Sequence, residues 1–164
     1  MESNKLSFSL GFLRLSMGLI FLWAFFDKVF GWGFATTAEK SWLTGRSPTT
    51  GFLQFGVHGP FANFFHSLAG NSLVDWLFML GLLFVGVCLT FGVCKKAGIW
   101  SGIAILFLMY LAIGLPPVNH PFIDDHFIYI LVLFVLLFSN SEKYLGFGNK
   151  WSNIDLIQKF PILK

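Results

Sequence analysis

Four stretches of the chain are almost wholly apolar, and the polar residues between them are few. They run about Phe8–Phe30, Val74–Val93, Ala97–Leu115 and Pro121–Phe138. A bilayer core of ~30 Å needs about 20 helical residues, so each stretch predicts a membrane-crossing helix. The fourth reaches that length only by including its polar head. Twelve apolar residues run unbroken from Phe127 to Phe138, so the helix must begin near Pro121 or continue past Asn140. On the first choice Asp124, Asp125 and His126 lie at the membrane boundary. Ionisable groups are costly there and mark a functional site by default.

The connections follow the same pattern. Cys94-Lys95-Lys96 separates the second and third stretches, which predicts a tight helical hairpin. Pro116-Pro117 stops the third, because proline breaks the backbone hydrogen-bond ladder. The loop over residues 35–73 is rich in aromatics, with Trp42, Phe52, Phe55, Phe61, Phe64 and Phe65. Ser47-Pro48 is a good helix start. Phe61, Phe64, Phe65 and Leu68 have helical spacing. Two short helices in the outer interface, or folded back over the bundle, are expected there. Gly98-x-x-x-Gly102 allows another helix to approach closely, within the bundle or in a dimer. The tail over residues 139–164 carries Trp151, Ile154, Leu156, Ile157 and Phe160 and reads as a cytoplasmic interfacial segment. The first stretch is too long for a signal peptide and no small-residue cleavage site follows it, so it reads as a retained span. The expected fold is an all-α integral membrane protein, one domain over residues 1–164. It is a four-transmembrane-helix bundle with short interfacial helices in the outer loop.

Composition agrees. Of the 164 residues, 55% are hydrophobic and 12% charged, with 22 phenylalanines; average soluble usage is about 45–50% apolar and ~25% charged. The pI near 9.0 does not indicate nucleic acid, because the basic residues lie between and after the apolar stretches, where they set topology. Lys5, Lys95, Lys96, Lys143, Lys150, Lys159 and Lys164 fall on one side, against Lys40, Arg46 and Lys28 on the other. That bias places both termini in the cytoplasm of a multi-pass cell-membrane protein. Cys88 and Cys94 are six apart. On one helix that is ~600° of rotation, leaving the thiols roughly opposed, which favours two buried small residues over a dithiol centre.

The remaining ionisable groups are the candidate chemistry. Arg14 and Lys28 share a stripe of the first helix, ~21 Å apart along its axis. Arg14 can snorkel to the cytoplasmic surface. Lys28 is biased back into the membrane and needs a partner, for which Asp124 or Asp125 is the obvious choice. Asp27 projects from a neighbouring face and can pair with Arg46 or cap the helix environment. Asp124 and Asp125 suit a helix N-terminus, while His126 with a carboxylate beside it is a natural acid–base pair. His58, His66 and His120 fall on the same outer side, without tight metal-ligand spacing. A basic pocket framed by aromatics suits a small anion or the polar head of a quinone.

Several strings resemble the DoxX/DoxD-like membrane family, which includes the small subunit of thiosulfate:quinone oxidoreductase. They are Leu13-Arg14-Leu15 with Gly18, Trp23-Ala24-Phe25-Phe26-Asp27-Lys28, Trp42-Leu43 and Ser47-Pro48-Thr49-Thr50-Gly51-Phe52. Gly59-Pro60-Phe61-Ala62, Val74-Asp75-Trp76-Leu77-Phe78-Met79, Pro121-Phe122-Ile123-Asp124-Asp125-His126 and Tyr144-Leu145-Gly146 complete the set. The resemblance covers nearly the whole chain. It implies a four-helix bundle in a membrane oxidoreductase that oxidises thiosulfate or a related sulfur anion, with membrane quinone as acceptor. It also implies a second oxidoreductase subunit as partner; a homo-oligomer is the other partner considered. The chain shows no flavin, haem or metal motif. The catalytic candidates are Lys28, Asp124, Asp125 and His126. The substrate-binding candidates are Arg14, Asp27, Trp42, Arg46 and His58. The alternatives are a non-catalytic anchor for a redox partner, or a carrier for a small solute or lipid.

Overall fold

The computed structural model describes residues 2–113, 116–117 and 120–159. Among them every regular element is helical. Helix α1 spans Glu2–Phe30. Two 3₁₀ turns and two short helices, α2 (Thr50–Phe55) and α3 (Ala62–Ser67), follow in the long loop. Helix α4 is Ser72–Phe91, α5 is Lys95–Ile113 and α6 is Asp125–Phe138. After a 3₁₀ turn the chain adds α7 (Gly148–Ser152) and α8 (Asp155–Lys159). The expected end of the third span at Leu115, Phe160 of the tail and Lys164 lie outside the described residues.

Helices α1, α4 and α5 are long and apolar enough to cross a membrane. Their outward faces are apolar: Leu19, Trp23, Leu77, Phe84, Trp100 and Phe107 are all exposed. A water-facing bundle would carry polar side chains at such positions; here the solvent for that face is lipid. This is a membrane protein.

Helix α6 is shorter than the sequence pattern predicts. Asp124 has extended backbone (φ −127°, ψ −177°) and caps the helix, with its carboxylate accepting the Phe127 N–H. Residues 121–123 are therefore outside the helix. Fourteen residues rise only about 21 Å, less than the ~30 Å core of a bilayer.

Four helices nonetheless share one core. Met17 and Phe21 of α1 pack with Met79, Leu82, Val85 and Leu89 of α4, Ile99 and Leu106 of α5, and Leu133 and Leu136 of α6. In lipid, close packing takes over from the hydrophobic effect in holding helices together, and small residues permit it. The Gly98–Gly102 pair does this inside the bundle. A Cβ on Gly102 would lie 3.0 Å from Leu133 and 3.1 Å from Val85, and one on Gly98 would strike Cys88.

The two ends of the bundle differ. At one end the α4–α5 turn meets residues 139–147, where the Phe147 N–H donates to the Phe91 carbonyl at 2.8 Å. At the other, the long loop folds over α4 and α5. Leu53, Val57 and Phe65 bury against Ala112 of α5, and the His58 N–H donates to the Ala112 carbonyl at 3.1 Å.

Candidate functional site

The loop-covered end encloses a cavity of about 540 Å³. Lys28 of α1 heads it, and α2 and α3 roof it with Phe52, Leu53 and Phe65. Leu77 and Phe78 of α4 and Ile105, Leu108 and Met109 of α5 form its walls. Lys28 is the one charged residue in the lining, and it makes no ion pair or hydrogen bond among the described residues. Leu77 and Leu108 line the cavity yet are 63% and 52% exposed. The cavity therefore reaches the lipid-facing surface between α4 and α5.

Local sequence chemistry holds the roof in place. Asp75, in the first turn of α4, is buried and its Oδ1 accepts hydrogen bonds from the Ser47 hydroxyl at 2.8 Å and the Thr49 hydroxyl at 2.5 Å. The Ser47 hydroxyl in turn accepts the Thr50 N–H at 3.0 Å. Ser47 thus caps the backbone at the start of α2 even though the helix begins at Thr50, two residues later than Pro48 suggests. Asp75 was not among the expected site residues. Its signal was present in the sequence: a lone carboxylate at the edge of an apolar stretch.

The other expected residues do not join Lys28 in this cavity. Asp27 is buried, and its two carboxylate oxygens accept the Phe34 N–H at 3.2 Å and the Ala35 N–H at 2.9 Å. It secures the turn leaving α1 and makes no pair with Arg46. Arg46 is exposed, as is the side chain of His58. Trp42 packs edge-on against Trp76 with ring centroids 4.6 Å apart, and lines a separate depression with Phe25 and Val29.

The Asp124-Asp125-His126 tripeptide forms the helix cap and the carboxylate–histidine contact that the sequence suggests, but not the pairing with Lys28. Asp124 Oδ1 caps α6 through the Phe127 N–H at 2.9 Å, and Oδ2 lies 2.8 Å from His126 Nδ1. Asp125 is exposed. None of the three lines the Lys28 cavity, so no Lys28–carboxylate pair is formed with them. His120 organises the preceding turn, its Nδ1 accepting the Phe122 and Ile123 N–H groups at 3.1 and 3.0 Å.

Arg14 is the clearest departure. It is fully buried, and each of its five N–H donors meets a backbone carbonyl. Nε donates to Ser141 at 3.4 Å. One terminal nitrogen donates to Leu89 and, at 3.0 Å, to Thr90. The other donates to Tyr144 at 3.1 Å and Leu145 at 3.0 Å. A Cβ at Gly146 would lie 2.9 Å from the guanidinium. No donor is left for a substrate, and the side chain neither snorkels nor reaches the cavity. Nearby, Lys95 pairs with Glu142 at 2.7 Å and also donates to the Ser139 carbonyl.

Comparisons with protein-family models, with curated proteins and with solved structures find no match.

Proposed function

We propose that the protein is a quinone-binding subunit of a membrane oxidoreductase, with the Lys28 cavity as the quinone site. The observation that carries this reading is a single cation, Lys28, in the lining of an apolar cavity open toward lipid. Ligand pockets of ~300–1,000 Å³ lined by apolar groups with one or two polar contacts suit small lipophilic ligands. A quinone supplies a two-electron acceptor with carbonyl oxygens at its head and an apolar tail. Lys28 would donate to one carbonyl oxygen and favour negative charge developing there. Leu77 and Leu108 would let the tail leave between α4 and α5.

In this reading α6 is the fourth crossing, matched to the bilayer by local thinning and by the polar turn before it. Both termini then lie in the cytoplasm of a cell-membrane protein, and α2 and α3 lie at the outer interface. The electron donor is thiosulfate or a related sulfur anion, handled with a second subunit, as the resemblance to the DoxX/DoxD-like family implies. The cavity itself suits a lipophilic ligand better than a bare dianion, because it offers one cation and little else that is polar. A second reading, a non-catalytic anchor for a redox partner, is favoured by the commitment of Arg14, Asp27, Asp124 and Lys95 to backbone or ion-pair contacts.

The test is binding of decylubiquinone to the purified protein in nanodiscs, read by tryptophan quenching, beside Lys28→Met. Saturable binding weakened about tenfold or more in the variant, or some 1.4 kcal/mol, is expected. Absence of binding, or binding indifferent to Lys28, overturns the quinone site. Thiosulfate-dependent quinone reduction with and without membrane extract then separates the oxidoreductase from the anchor.

A further inference from the structure

Cys88 and Cys94 do not lie on one continuous helix. Helix α4 ends at Phe91, and Gly92 turns left-handed at φ 70°. The N–H groups of Gly92 and Val93 both return to the Cys88 carbonyl, at 2.9 and 3.1 Å. Cys94 follows with φ 45°, a conformation uncommon outside glycine, and its carbonyl accepts the Gly98 N–H at 2.9 Å at the start of α5. The chain thus folds back beside the residue it left. Gly98, one turn into α5, lacks the Cβ that would strike Cys88. The Cys88 and Cys94 side chains are neighbours close enough to act on each other electrostatically. Both are free; Cys88 is buried and Cys94 partly exposed.

We propose that Cys88 and Cys94 form a dithiol–disulfide redox couple at the α4–α5 turn, oxidised by a small disulfide. The proposal is independent of the quinone site at the other end of the bundle. Cys94, the accessible sulfur, attacks one sulfur of the external disulfide as thiolate. The external S–S bond breaks, a protein mixed disulfide forms, and one small thiol leaves with a proton. Cys88 then attacks the Cys94 sulfur, and the second small thiol leaves. Two protein thiols have lost two electrons and two protons, and the external disulfide has gained them.

A small oxidant suits the Cys94 sulfur, which is only partly exposed in a tight turn. Exposed Lys96, two residues on, favours an anionic one such as oxidised glutathione. Burial pushes the Cys94 thiol up, and the neighbouring Cys88 side chain opposes that shift. The thiolate is the attacking species, so oxidation accelerates as pH rises.

The test treats the purified full chain in nanodiscs with oxidised glutathione over a pH series, followed by intact mass and peptide mapping. The expected product has lost two hydrogens, carries no glutathione and yields one peptide pair joined through Cys88 and Cys94. It forms faster by up to about tenfold per pH unit below the thiol pKa. Cys88→Ser should stop at the Cys94–glutathione adduct, and Cys94→Ser should stay unmodified. Wild-type protein that keeps a glutathione adduct, or whose thiols both remain free at mildly alkaline pH, overturns the proposal. So does glutathionylation of Cys88 ahead of Cys94.

Discussion

Arg14 and Lys28 are cations on the same face of the same helix, and their surroundings are opposite. Arg14 gives all five donors to carbonyls at the end of α4 and in residues 141–145. Lys28, at the other end of the helix, lines an apolar cavity and makes no hydrogen bond or close ion pair among the described residues, with the neighbouring Asp27 as a nearby opposite charge. A planar guanidinium offers five donors in a fixed fork and suits a many-carbonyl site, whereas an ammonium is a compact point charge. The difference teaches that two charges of equal membrane cost can serve unlike ends. One is spent on holding three segments together, and the other is held available.

The largest effect should follow from breaking the satisfied end. Arg14→Met removes the hub that joins α1, the end of α4 and the tail. Loss of one member of a buried, charged network typically costs about 3–5 kcal/mol. The variant should lose its cooperative melting transition or express only as aggregate. Arg14→Lys should rescue little, because one ammonium cannot serve five carbonyls in that geometry. A normal melting temperature in Arg14→Met would refute the hub.

Somewhat smaller is the effect of Gly18→Ala, which probes a close approach of α1 to α4. A Cβ there would lie 2.5 Å from the Thr90 backbone nitrogen, a rigid neighbour. Overpacking of this kind costs about 1–3 kcal/mol, read as a lowered melting temperature with the Lys28 cavity still binding ligand.

Much of this architecture is legible in the sequence. The three long helices follow from apolar length, and the hairpin between α4 and α5 follows from Cys94-Lys95-Lys96. Membrane energetics also picks Arg14 and Asp27 as residues that cannot be idle. Their partners were not legible, because those partners are backbone groups, and carbonyls and N–H groups carry no side-chain signature. At residues 124–126 the cap and the carboxylate beside His126 were legible, and the separation of this tripeptide from Lys28 was not. A carboxylate before an apolar helix fits a cap and an acid–base pair equally well, and Asp124 serves both, one oxygen capping α6 and the other lying beside His126. The cysteines show the limit of helical phase: the ~600° argument fails as soon as Gly92 takes the chain out of the helix. Asp75 shows a limit of application instead, since the rule that selected Asp27 selects it too.

Lys28→Met tests the available end of the comparison from the stability side. A partly buried ammonium without a hydrogen bond costs desolvation, and sites kept for function often trade stability for it. The variant should melt at the same temperature or higher, by up to about 1 kcal/mol, while its ligand binding falls. A marked loss of stability would mean that Lys28 is a structural anchor, and the contrast with Arg14 would collapse.

Of the two adjacent carboxylates, the exposed Asp125 should give the smallest effect of all. Asp124→Ala removes the cap of α6 and the oxygen beside His126, and loss of a helix cap costs about 0.5–2 kcal/mol. Asp124→Asn keeps an accepting oxygen and should recover most of that. Asp125→Ala should stay within about 0.5 kcal/mol, the usual range for an exposed position. If chemistry were centred on this tripeptide, quinone binding or turnover would fall in Asp124→Asn although stability did not. The cavity geometry predicts the reverse, with both variants binding as wild type does, because neither side chain lines the space that Lys28 heads.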